Sequence, residues 1–123
     1  MGKPCEIMVV DDNLDAASTL SELVQCLGYK VEVAHDGVEA LDKLQAFHPS
    51  IVFLDIGMPR MDGFELARRI RSNAELASAY LVSVSGWNDP ATAARAQAAG
   101  IDLHVRKPIS LEQIQSTLAH CEQ

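Results

Sequence analysis

Positive charge is scarce in this 123-residue chain: ten Lys and Arg stand against seventeen Asp and Glu, for a formal net charge of -7. That balance argues against a duplex-binding surface, because affinity for nucleic acid comes largely from cations that neutralise phosphates. Long apolar runs are also missing, so no membrane span is expected. The first such run, Ile7 to Val10, ends in two aspartates and is too short for the core of a secretory signal. Met1-Gly2 begins a myristoylation motif, but Glu6 stands where that motif needs Ser or Thr. Cysteine is limited to Cys5, Cys26 and Cys121, with no C-x-x-C pair and no His at zinc-finger spacing. Reduced thiols in a cytoplasmic chain are the expectation. There is no fixed-period repeat, low-complexity tract or Gly/Ser linker, so residues 1–123 are expected to form one domain.

Hydrophobic residues make up 48% and charged residues 22%, the composition of an ordinary globular protein. A chain of this length buries roughly two-thirds of its unfolded surface, enough for one core. Apolar, partly β-branched runs recur at Ile7–Val10, Val31–Ala34, Ile51–Leu54, Tyr80–Val84 and Ile101–Val105, each short enough for a strand covered on both faces. Helical spacing lies between them: Leu14, Ala17, Leu20, Leu23, Val24 and Leu27; then Val38, Leu41 and Leu44; then Phe64, Ala67 and Ile70. Gly28 and Gly100 follow helical runs as stops, and Asp89-Pro90 reads as an N-cap with proline at the first helical position. A last helix is expected from about Leu111 to His120. Strands alternating with helices predict an α/β fold with a doubly wound five-stranded parallel sheet and five helices, whose ligands bind at the strands' carboxyl ends.

The residues just past each strand then become informative. Asp11-Asp12 follow the first, Asp55 ends the third, Ser85-Gly86 follow the fourth and Lys107-Pro108 the fifth. All fall on one edge of such a sheet. Three carboxylates are hard oxygen donors suited to magnesium, which keeps several waters and a phosphate oxygen. With a lysine and a hydroxyl they suit phosphoryl transfer, in which a carboxylate can be the nucleophile and the protein neutralises oxygen charge.

The segments V-V-D-D-N, F-L-D-I-G-M-P-R-M-D-G-F-E, S-V-S-G and V-R-K-P resemble the receiver domains of two-component response regulators across nearly the whole chain. Ser85 stands thirty residues beyond Asp55 and Lys107 twenty-two beyond Ser85, as in that family. The resemblance implies a flavodoxin-like strand order 2-1-3-4-5. It also implies Asp55 as phosphoacceptor, Asp12 as a direct ligand of Mg2+ (or Mn2+), Asp11 holding a metal-bound water and the Gly57 carbonyl as a further ligand. Ser85 and Lys107 would contact the phosphoryl group, and the Lys107–Pro108 bond is usually cis. The phosphodonor would be a sensor histidine kinase or a histidine phosphotransfer protein. The face formed by the fourth helix, fifth strand and fifth helix would address a downstream protein or attached domain. His104 stands where the family carries Tyr or Phe three residues before the lysine, and is expected to act as the switch ring, the alternative being an exposed polar strand residue with no part in switching. Gly57 and Trp87 occupy the positions that tune phosphoryl lifetime; neither offers a general base, so slow self-dephosphorylation is expected. No output domain is expected, and some wording resembles receivers of hybrid sensor kinases.

Taken singly, each residue has a plainer reading. Asp11-Asp12-Asn13 would serve as helix caps, Ser85-Gly86 as a turn and Lys107 as a solvated lysine. The segment Gly57-Met58-Pro59 and Asp62-Gly63 reads as a loop with unusual backbone angles. His35, His48 and His120 receive no catalytic role. Among rival functions, an aspartyl-phosphate phosphatase would want an acid where Gly57 stands. A flavin module would want a phosphate loop where Asp11-Asp12 stand. A pseudo-receiver acting as a protein-interaction module would lack the acidic set or the lysine.

Overall fold

The computed structural model describes residues 5–86 and 89–122. Five strands, β1 (Glu6–Val10), β2 (Lys30–Ala34), β3 (Ile51–Asp55), β4 (Tyr80–Ser85) and β5 (Leu103–Arg106), form one sheet in the order 2-1-3-4-5. Every pairing is parallel. The helices α1 (Leu14–Cys26), α2 (Gly37–Lys43), α3 (Gly63–Ser72), α4 (Pro90–Ala98) and α5 (Leu111–Leu118) alternate with them, and a 3-10 turn follows at Ala119–Glu122.

Alternation along the strands divides the core. Ile7, Val9, Phe53, Val82, Val84 and Val105 meet Ala17, Val24, Ile114 and Leu118 of α1 and α5. On the other face Met8, Val10, Val52, Leu54 and Leu81 meet Ala40, Phe64, Ala67, Ile70 and Ala96 of α2, α3 and α4. β3 is central and buried throughout, which explains its unbroken apolar sequence.

Caps fix where the helices begin. Asn13, Asp36, Asp62, Asp89 and Ser110 each accept a backbone amide three residues on, and Ser110 with Gln113 completes a capping box. Gly28 (φ 97) and Gly100 (φ 90) end α1 and α4 in the left-handed conformation. After α4 the amide of Gly100 donates to the Gln97 carbonyl and that of Ile101 to Ala96, the paired bonds of a Schellman ending. This ending corrects the expected fifth strand: Ile101 is engaged in closing α4 and packs into the core, so β5 begins only at Leu103.

The cysteines also depart from expectation. Cys5, just before β1, and Cys121, in the terminal 3-10 turn, are paired as a disulfide with their Cα atoms 5.7 Å apart. That separation lies within the range of bonded pairs. Their sequence separation of 116 hid the pairing from any spacing argument. Cys26 is free and exposed.

One side chain ties two connections together. Arg71 at the end of α3 donates to the carbonyls of Ala77, Ala79 and Gly100 and to the Asp102 carboxylate, at 2.6 to 2.8 Å. The same Asp102 oxygen accepts the amide of Leu81, the second residue of β4. Arg71→Ala would leave several of these carbonyls without a donor and should cost about 2–3 kcal/mol. Urea unfolding should show a lower midpoint with an unchanged slope, and Arg71→Lys should recover less than half of the loss, because an ammonium lacks the planar fork.

Candidate functional site

The sheet delivers the expected residues to one edge. β1 stops at Val10, and the next residue, Asp11, is buried; its Oδ1 accepts the amide of Asn13 at 2.9 Å. Capping of α1 falls to Asn13, whose Oδ1 accepts the amide of Ala16, so neither aspartate is used as the cap. Asp55 ends β3 with 8% of its surface exposed, and its Oδ1 accepts the Gly57 amide at 3.2 Å. Carboxylate oxygens of Asp11, Asp12 and Asp55 all lie within 4.8 Å of one another, with Asp12 on the solvent side. Lys107 Nζ reaches over them, 3.2 Å from Asp11 Oδ2 and 3.5 Å from Asp55 Oδ1.

Lys107 is aimed by its backbone. Its amide donates to the carbonyl of Ser85 at 2.7 Å, extending the β4–β5 ladder, and the following Lys107–Pro108 bond is cis. Ser85 ends β4 with 1% exposure. The structure thus brings together Asp11, Asp12, Asp55 and Lys107 at the ends of β1, β3 and β5, beside the end of β4 that carries Ser85.

Such crowding of acid has an electrostatic signature. Burial raises the Asp55 carboxyl above its ordinary range, and the neighbouring Asp11 charge raises it further; Lys107 and the Gly57 amide oppose them without cancelling them. Burial alone would pull Lys107 down, but attraction to Asp55 and Asp11 prevails and its pKa is raised. A lysine that stays charged is therefore anchored among carboxylates that it only partly neutralises. A small divalent cation suits the remaining negative charge: the donors are all oxygen, and three carboxylates leave room for water and a phosphate oxygen.

The loop after β3 differs from its expected form. Its single positive-φ residue is Arg60 (φ 67) rather than either glycine. Gly63 is required for closeness: a Cβ there would stand 2.6 Å from the Asp55 carbonyl and 2.8 Å from the Ile56 Cα. The Gly63 amide donates to the Ile56 carbonyl at 3.1 Å, pinning the start of α3 to the strand end that carries Asp55. His104 lies on β5 opposite Ser83, and their Nδ1 and Oγ share a hydrogen bond of 2.6 Å. Ser83 was missed in the sequence, although a serine inside the apolar run of β4, two residues before Ser85, was the available signal. Trp87 lies outside the described residues. His48 and His120 lie away from this edge, in contact with Glu75 and Tyr80 respectively, and His35, which follows β2 at the same edge, contacts Glu39.

The raised Asp55 pKa fixes a pH dependence. A carboxyl that binds its proton more tightly when folded stabilises the fold fully below its unfolded pKa, and that contribution is lost as pH rises through the folded value. In metal-free buffer at pH 7, Asp55→Asn should therefore be more stable than the parent. Its advantage should shrink as pH falls into the acid range, as chemical denaturation at a series of pH values would show.

Comparison with known proteins agrees with this geometry. The family model described as the response regulator receiver domain matches residues 7–119. Protein PilG of Pseudomonas aeruginosa is 33% identical over 109 residues, covering 89% of this chain and 81% of PilG. Response regulator MprA of Mycobacterium avium is 35% identical over 108 residues, 88% of this chain but 46% of MprA, so the chain spans about half the length of that relative. Among solved structures, chemotaxis protein CheY4 of Vibrio cholerae superposes with a TM-score of 0.90 at 28% identity, over 97% of this chain and 99% of that one. A Burkholderia pseudomallei response regulator solved with a phosphorylated aspartic acid, a calcium ion and citrate gives 0.85 at 28% identity, over 93% of this chain and 66% of that one. With its strand order, its acidic pocket and this match over nearly its whole length, the chain belongs to the response regulator receiver domain family.

Proposed function

We propose that the chain is the phosphoacceptor of a two-component pathway, taking a phosphoryl group from a phosphohistidine donor onto Asp55 with the help of Mg2+ or Mn2+. The observation that carries this reading is the convergence of three carboxylates within 4.8 Å under an ammonium group 3.2 and 3.5 Å from two of them. A carboxylate oxygen of Asp55 attacks phosphorus, the phosphorus–nitrogen bond breaks and its electrons return to the imidazole of the donor. Asp12 and Asp55 would hold the metal directly, with the Gly57 carbonyl, while Asp11 would orient a bound water. The metal supplies positive charge that screens the phosphoryl oxygens from the acidic pocket. Lys107 shifts from the carboxylates to a phosphoryl oxygen, and the Ser85 hydroxyl follows the new charge.

The movement of Ser85 vacates space beside His104, into which the ring turns, altering the surface of α4, β5 and α5 that a downstream protein or attached domain reads. The donor is a sensor histidine kinase or a histidine phosphotransfer protein. Residues 1–123 work as a single receiver unit, and its turnover is limited to its own phosphorylation and dephosphorylation. No helix among the described residues is long and apolar enough to cross a membrane, and a cytoplasmic site of action fits a partnership with such kinases. The pseudo-receiver reading is disfavoured, because the acidic set, the hydroxyl and the lysine all stand in place.

Two experiments test the proposal. Incubated with phosphoramidate and magnesium, the intact protein should gain one phosphoryl group by mass, and Asp55→Asn none; full labelling of that variant would move the reaction elsewhere. Magnesium should raise the melting temperature, by the equivalent of about 2.7 kcal/mol at one hundred times its dissociation constant. Asp12→Ala should lose most of that shift, and a parent protein indifferent to millimolar magnesium would count against the metal pocket.

A further inference from the structure

Ser83 sits in the middle of β4 without any exposure to solvent. Its partner in the parallel β4–β5 register is His104, and the Ser83 Oγ and His104 Nδ1 are 2.6 Å apart. Strand alternation puts Ser83 and Ser85 on the same face of the sheet, the face where Leu81, Ala96 and Ile101 pack. His104 is half-buried there and borders a recess between α4 and β5 together with Ala93, Ala96 and Gln97. The ring therefore has two serine hydroxyls along its path: Ser83 directly opposite, and Ser85 one pleat nearer the phosphorylation pocket.

We propose that Ser83 is a positioning residue for the switch, its hydroxyl holding the His104 ring in the resting protein and opposing its turn toward Ser85. This deepens the proposed function and rests on the reading of Ser85 and His104 as the switch pair. The physical hold comes from burial. A hydroxyl without access to water is stabilised by the partner it has, so ring departure leaves a buried polar group to be satisfied anew. That cost falls on the activated arrangement alone, and it therefore sets how much of the population adopts this arrangement before phosphorylation. A tyrosine or phenylalanine in place of His104 would present no ring nitrogen to Ser83, so the restraint belongs to this pairing of serine with histidine.

The test uses Ser83→Ala, which removes one oxygen from a buried site and should leave the fold intact, and Ser83→Thr, which keeps the hydroxyl on a strand-favouring side chain. In NMR spectra of the unphosphorylated protein, Ser83→Ala should move the His104 ring signals along the line toward their positions in the beryllofluoride-bound parent. Labelling of Asp55 by phosphoramidate should become several-fold faster, and Ser83→Thr should restore both readouts. In a His104→Phe background the Ser83→Ala change should have no further effect on labelling. Ring signals and labelling rate unmoved by Ser83→Ala would overturn the inference while leaving Asp55 as acceptor; so would an equal change of rate in both backgrounds. A parent protein that takes no label would instead sink the proposed function, and the ring signals of Ser83→Ala would still decide whether the serine positions the ring.

Discussion

Parallel pairing of all five strands is the constraint on which everything else in the molecule depends. It sends every carboxyl end to a single edge, so residues far apart in the chain arrive at one place without any local sequence signal joining them. It also obliges each crossover to be a helix, which covers both faces and makes β3 apolar along its length up to Asp55. The acidic group is thus assembled by topology, at the one location where buried backbone ends and side chains face outward together.

Gathering like charges there has an energetic cost that the rest of the site is arranged around. Asp11 and Asp55 are nearly buried, and Lys107 offsets their repulsion only in part. The backbone contributes as well: the amides of Asn13 and Gly57 each point at a carboxylate oxygen. Residual negative charge in a partly dry pocket is a poor arrangement for stability and a good one for attracting a divalent cation. Stability conceded at this edge is recovered in the two apolar layers and in contacts such as the Arg71 fork, which lie away from the chemistry.

How much of this was legible in the sequence depends on the range of each interaction. Strands and helices are local, and the rhythm of β-branched runs, the glycine stops and the Asp89-Pro90 start disclosed them, while the caps at Asp36, Asp62 and Ser110 went unread. The acidic pair, Asp55, Ser85 and Lys107 were legible because each immediately follows or ends a strand, and the sheet does the rest. What remained hidden depends on distance in space. Nothing near Arg71 announces carbonyls supplied by two separate connections, and nothing near Cys5 announces Cys121. The need for Gly63 comes from its approach to the Asp55 carbonyl rather than from its own backbone angle, so composition suggested a loop but gave the wrong reason. The start of β5 was misplaced because Ile101 is as apolar as a strand residue while serving the ending of α4.

The bond between Cys5 and Cys121 has a mechanical consequence. It lies at the edge where β1 begins, the far end of the sheet from Asp55, and it turns the intervening chain into a closed ring. Anything tethered beyond either cysteine hangs from that remote end, and a pull applied there is borne by the covalent clasp before it reaches the strands. The same closeness of the two ends makes the protein a natural subject for circular permutation: a short linker across the clasp would allow new termini to be opened elsewhere on the surface.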